Sequence, residues 1–178
     1  NNEGTNEERG RAKTLHKLRE QIIETLPSAS DGQLELTREL CRFWLASTED
    51  ADDGFQESHD RGVQLLEWAI RLEDWQSAAS MHQKIGQALY SMGDSQAAEE
   101  HLNEAFRIAK LYRLDLRVRI LTNLCFVHVR KGNLNKAFDY AMDSVFIAEQ
   151  MGSINDIAKG YGFMARVKRQ AGDLTAAT

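Results

Sequence analysis

The chain has 178 residues, a formal net charge of −5 and a single proline, Pro27. The length allows one sizeable core or a short solenoid. The acidic balance disfavours nonspecific nucleic-acid binding, and the longest apolar runs are far too short to cross a bilayer.

Average usage of roughly 5% would give about nine prolines. Proline breaks helix interiors, so its scarcity leaves long helices possible almost everywhere. Residues 1–6 are polar and expected to be disordered. Residues 7–26 read as a helix, with Leu15, Leu18, Ile22, Ile23 and Leu26 on one apolar stripe. Pro27 and the small polar run to Gly32 end it. A second helix is predicted over Gln33–Ser47, placing Leu36, Leu40, Phe43 and Trp44 on one side. An acidic loop follows from Thr48 to Gly54. A third helix is predicted over Gln56–Arg71, using Val63, Leu66, Ala69 and Ile70. Residues 7–55 thus form an N-terminal region of helices and acidic loop.

From residue 56 the sequence becomes self-similar. Gly93-Asp94, Gly132-Asn133 and Gly172-Asp173 recur with their glycines 39 and 40 residues apart. A small residue stands seven positions before each glycine (Gly86, Cys125, Ala165), and an alanine five positions after (Ala98, Ala137, Ala177). Such glycines end helices through a left-handed cap. The small residues let two antiparallel helices approach closely. Ile85, Leu89, Leu102, Phe106 and Ile108 would fill the first hairpin, and Leu121, Leu124, Phe138, Val145 and Ile147 the second. A lone hairpin cannot bury both faces, so hairpins stack and share a core. The expected fold is all-α, a right-handed α-solenoid of antiparallel helix hairpins, with 56–178 as the repeat array and its last repeat cut short.

The register His82, Ile85, Gly86, Leu89, Gly93, Ala98, Leu102, Ala105 resembles the tetratricopeptide repeat (TPR). So does Leu121, Leu124, Cys125, His128, Gly132, Ala137, Ala141, Ser144, and in part Tyr161, Met164, Ala165, Lys168, Gly172, Ala177. Gly62, Leu66 and Ala69 fit the second helix of a degenerate earlier repeat. The usual proline at the end of each second helix is absent. The period is near 40 rather than 34, similar to repeats of the polarity-scaffold, rapsyn and kinesin-light-chain kind. His128 and Lys168 stand where an aromatic is usual.

That resemblance implies a concave groove lined by the first helix of each repeat. Its groove-facing stripes are Ser80, Lys84, Gln87 and Ser91, then Arg119, Asn123, Phe126 and Arg130, then Lys159, Phe163, Arg166 and Gln170. The spacing places each set on one helix face. The stripes bring bases around two phenyl rings and contain no acid. Residues 111–178 carry ten bases and six acids, whereas 31–75 carry four bases and twelve acids. Arginine pairs with carboxylates and phenylalanine can anchor an apolar side chain. The expected ligand is a protein segment, extended or helical, with acidic residues around a hydrophobic one. Asn123 and Lys159 match a chaperone-carboxylate clamp, but Gln83, Gln87 and Phe163 do not, so no such clamp is expected. The acidic 49–60 stretch could fold against a basic groove, of its own chain or a neighbour's, giving autoinhibition or self-association.

Residues for other chemistry are missing. Gly160-Tyr161-Gly162 lacks the rest of a dinucleotide motif. Cys125 and His128 share a helix face at core register, which reads as packing, and no calcium-loop spacing follows Gly54. His82, His101, Trp44, Trp68 and Trp75 read as packing or rim residues. Cys41 and Cys125 show no disulfide spacing and read as buried thiols. The sequence therefore predicts a cytoplasmic protein-interaction scaffold. It is expected not to be an enzyme, with no cofactor, no metal, no nucleic acid and no membrane insertion. The alternatives are a regulatory sensor binding a short signalling peptide, or an accessory domain of a larger enzyme.

Overall fold

The computed structural model describes residues 32–46 and 54–176. The predicted helix over 7–26, the acidic stretch 48–53 and Ala177 lie outside the described residues. Every described element is an α-helix, and no strand occurs among the described residues. Contacts divide the chain into two compact units, residues 1–54 and 55–178. Helix α1 (Gly32–Ala46) belongs to the first unit, and its Leu36 and Phe43, two turns apart, are buried as the apolar stripe predicts. Helix α2 (Gly54–Arg71) begins at the boundary and opens the second unit. There follow α3 (Trp75–Met92), α4 (Ser95–Leu111), α5 (Arg117–Arg130), α6 (Leu134–Met151) and α7 (Ile154–Ala176).

Helices α3 and α4 pack as one antiparallel hairpin, α5 and α6 as the next, and α7 packs on α6. The turns are those that the sequence marks. Gly93 and Gly132 adopt φ of 97° and 75°, a left-handed conformation that a Cβ would strain. Behind them Asp94 N–H donates to the Leu89 carbonyl and Asn133 N–H to that of His128, satisfying carbonyls the ending helices leave over. Asp94 then caps α4 by accepting from Ala97 N–H at 2.9 Å.

The joints between hairpins repeat as regularly. Glu73, Arg113 and Gly152 all have positive φ (55°, 54° and 68°), and the amides after them donate back to the carbonyls of Ala69, Ala109 and Ala148. Those three alanines are fully buried. Two of the three joints thus impose a left-handed backbone on a residue that has a Cβ.

Close approach holds each hairpin shut. A Cβ on Gly86 would lie 2.7 Å from Leu102 Cγ. Ile85, Leu102, Leu121, Leu124, Ala98 and Ala137 are fully buried, with Leu89, Ile108 and Val145 nearly so, while Phe106, Phe138 and Ile147 are half-buried. Fully burying one leucine or isoleucine contributes about 1.5–3 kcal/mol.

The third turn is not formed. Gly172 lies within α7, which runs on to Ala176, and it is exposed. At Gly93 and Gly132 a returning helix packs back on its predecessor and rewards the turn. No helix packs back on α7 among the described residues, and the helix carries the glycine at a cost of about 1 kcal/mol. Ala165, the expected close-approach residue, is exposed for the same reason. The tight contact of α7 is instead Gly160, where a Cβ would lie 2.4 Å from Val145 Cγ2.

Candidate peptide-binding groove

Helix α3 touches α5, and α5 touches α7, so the first helices of successive hairpins run side by side. This adjacency converts stripes predicted on separate helices into one surface. At one level Arg119 stands close enough to Lys84 to help hold its ammonium below the usual lysine range; burial of Lys84 is the larger cause. One turn further, Gln87 Nε2 donates to Asn123 Oδ1 at 3.4 Å across α3 and α5. Asn123 Nδ2 is buried and has no hydrogen-bond partner. Further on, Phe126 and Phe163 meet edge to face across α5 and α7, with ring centroids 5.0 Å apart and planes at 82°.

The remaining predicted residues fall outside these rows. Arg130 is exposed but engaged: its guanidinium lies 3.6 Å over the Tyr90 ring and donates to the Tyr90 carbonyl at the end of α3. It ties two repeats together, and Tyr90 is the neighbour that sequence reading missed. Tyr90 lies three residues after Gln87, but nothing in one helix reveals that the base meeting it stands forty positions later. Lys159 is exposed, 3.7 Å from Asp156 one turn away on its own helix. Arg166 is exposed and close enough to Cys125 to oppose the rise of its thiol. Gln83 is 2% exposed, buried rather than lining a clamp.

The groups considered for chemistry are packed. Cys125 is buried, and burial pushes its thiol up to about 11, the opposite of an activated nucleophile. His128 is fully buried, stacked on Tyr140 with centroids 5.2 Å apart. Its Nε2 lies 3.3 Å from a Glu99 oxygen without hydrogen-bond alignment, and Glu99 is itself held by Lys131. Burial keeps His128 below the usual histidine range against the pull of Glu99. Its place at an aromatic position of the repeat is thus filled by ring stacking. His82 and His101 bring ring nitrogens within 3.1 Å. Trp75 stacks on Tyr112 at 5.7 Å. Among the described residues no group of three or more metal-ligating side chains forms a site. Likewise no described helix is long and apolar enough to cross a membrane.

No protein-family model and no curated protein matches this sequence. Solved structures do. The apo form of RapI superposes with a TM-score of 0.69 at 16% identity, covering 94% of this chain and 63% of that one. A Rap protein complexed with competence and sporulation factor gives 0.64 at 15% identity, over 92% and 51%. A STAND-family protein with a tetratricopeptide repeat sensor, PH0952 from Pyrococcus horikoshii, gives 0.66 at 13% identity, over 87% and 23%. The fold is of the tetratricopeptide-repeat type. The TPR-like array built on a period near 40 therefore stands, and the chain spans less than two thirds of RapI's length.

Proposed function

We propose that the TPR groove captures an extended segment of another protein and performs no chemistry. The observation that carries this reading is the row order across three helices. The Lys84 and Arg119 cations come first, then the Gln87–Asn123 carboxamides with a donor to spare, then the Phe126–Phe163 pair. A peptide lying along the groove could place a carboxylate at the basic row and an apolar side chain at the phenyl rings. One of its backbone carbonyls would accept from Asn123 Nδ2, relieving a buried donor that otherwise costs about 1–3 kcal/mol. Arg130 plays no direct part, being committed to Tyr90. Rap in complex with a factor supports capture as a use of this fold.

The test is titration of labelled extended peptides in which Asp or Glu flank a Leu or Phe. Binding should weaken with salt. Both Arg119→Glu and Asn123→Leu should weaken it about tenfold each, equivalent to about 1.4 kcal/mol. Unchanged affinity for Arg119→Glu at moderate salt would sink the proposal. A sensor role is the second reading, favoured by the tie of Arg130 to Tyr90. Through that tie a ligand that shifts one repeat would change its angle to the next, and a tetratricopeptide repeat sensor is named in PH0952. Scattering with and without bound peptide separates the two readings, because only the sensor requires a change in curvature.

A further inference from the structure

Helices α4 and α6 are equivalents 39 residues apart, and their inward positions agree: Ala98 with Ala137, Ala105 with Ser144, and Ala109 with Ala148, all buried. Their outward positions do not agree. Where α4 has Asn103 and Arg107, α6 has Met142 and Phe146. Asn103 and Arg107 are exposed although α5 and α6 follow them in the stack, so the repeat geometry itself leaves these positions in solvent. Met142 and Phe146 are 48% and 59% exposed. They stand one turn apart on one face of α6. Beside them α7 presents Tyr161, 54% exposed, and the half-buried Met164. These residues enclose an open depression of about 390 Å³, flanked by Asp143 and Glu149, with no base among its lining residues. The Tyr161 hydroxyl donates to Glu149 at 3.5 Å.

We propose that this α6–α7 depression is a second docking surface, for a partner's amphipathic helix whose apolar stripe is bordered by lysine or arginine. A furrow between two packed helices accepts a ridge of side chains spaced three and four apart. Met142, Phe146 and Tyr161 provide the apolar floor that such a ridge would cover. Asp143 and Glu149 fix the sign of the border: bases are steered in and acids repelled. The charge preference is opposite to that of the groove, so one molecule could hold two different partners. A helix returning onto α7, as α6 returns onto α5, would cover Tyr161 and Met164, whose counterparts Leu121 and Leu124 are fully buried. It would leave Met142 and Phe146 in solvent, as Asn103 and Arg107 are. Those two residues therefore separate the occupants.

The experiment is fluorescence anisotropy with two labelled synthetic helices sharing one leucine stripe, one bordered by lysine and the other by glutamate. Each is titrated with the intact chain and with Met142→Asn/Phe146→Gln, whose folding is checked by circular dichroism. The lysine-bordered helix should bind at least about tenfold more tightly than the other, and the double variant should lose at least about tenfold of that affinity. Asp143→Lys/Glu149→Lys should reverse the preference. Equal binding of the two helices, or full binding by the Met142→Asn/Phe146→Gln variant, overturns the proposal. So does a wild-type dimer that this variant converts to monomer, since the occupant would then be a second copy.

Discussion

The two complete hairpins share a backbone and divide their interior volume differently. In α3–α4 the close contact pairs Gly86 with a large Leu102. In α5–α6 the same register holds Cys125 and Ala141, buried in one cluster with Ala137 and Val167. At this one contact the first hairpin places nearly all the bulk on its second helix, and the other spreads it over both. Interiors are close-packed, so the side chain at one position can change if its opposite number changes too.

This reading is broken most directly in the first hairpin. Leu102→Ala should cost about 2–5 kcal/mol in denaturant unfolding, from lost transfer energy and the cavity left behind. Gly86→Cys alone should cost about 1–3 kcal/mol through overpacking. Together they recreate the second hairpin's pairing, so their combined cost should fall well below the sum. Strict additivity would end the compensation argument.

A somewhat smaller effect is expected where α7 meets α6. Gly160→Ala drives a methyl into Val145 and should lose about 1–3 kcal/mol. Gly172→Ala, on the same helix and in open space, should be neutral or stabilising by up to about 1 kcal/mol. The opposite order would mean that Gly172 is a turn after all.

The joints should respond by less. Glu73→Gly and Arg113→Gly relieve a left-handed residue and should raise the melting temperature slightly, with gains of up to about 1 kcal/mol each. Gly152→Ala at the equivalent joint should lower it by a similar amount.

A last contrast is in acid sensitivity. The first hairpin holds His82 against His101, where the second has Leu121 and Tyr140. Burial first, then the charge of His101, lowers His82 from 6.5 to about 4, with Glu104 opposing and Arg107 adding. The folded state refuses a proton that the unfolded chain accepts, so this group's stabilisation is complete above about 6.5 and drains away as pH falls towards 4. His82→Leu should flatten the midpoint-versus-pH curve over that interval. Some slope should remain from the buried His128, which is also held low.

Much of the architecture was readable before any coordinates. Gly93 and Gly132 announce their turns because only glycine relieves that backbone, and the small residues announce close contacts. Glu73 and Arg113 announce nothing, since their chemistry does not advertise a positive φ; the recurring clue was the run Ala69, Ala109, Ala148. Gly172 misled because a turn residue acts only when a helix returns beyond it. In the groove, residue faces follow from helical spacing. The rows need the offset between repeats, which sets Gln87 beside Asn123 and Arg130 over Tyr90. Asn123's idle donor could not be seen in a string of letters.

Because the Gly86–Leu102 and Cys125–Ala141 contacts are each matched inside one hairpin, the hairpin is a less disruptive step of exchange than the single helix. Exchanging α4 for α6 alone would set Leu102 against Cys125, or Ala141 against Gly86, and leave one crowd and one void. Exchanging α3–α4 for α5–α6 whole would keep those pairs and disturb the contacts between neighbours, such as Lys131 with Gln96 and Glu99 and the packing of Val167 on α5–α6. Such an array can lengthen by copying pairs of helices, and each copy arrives with its interior already settled and its outer surface open to a new use.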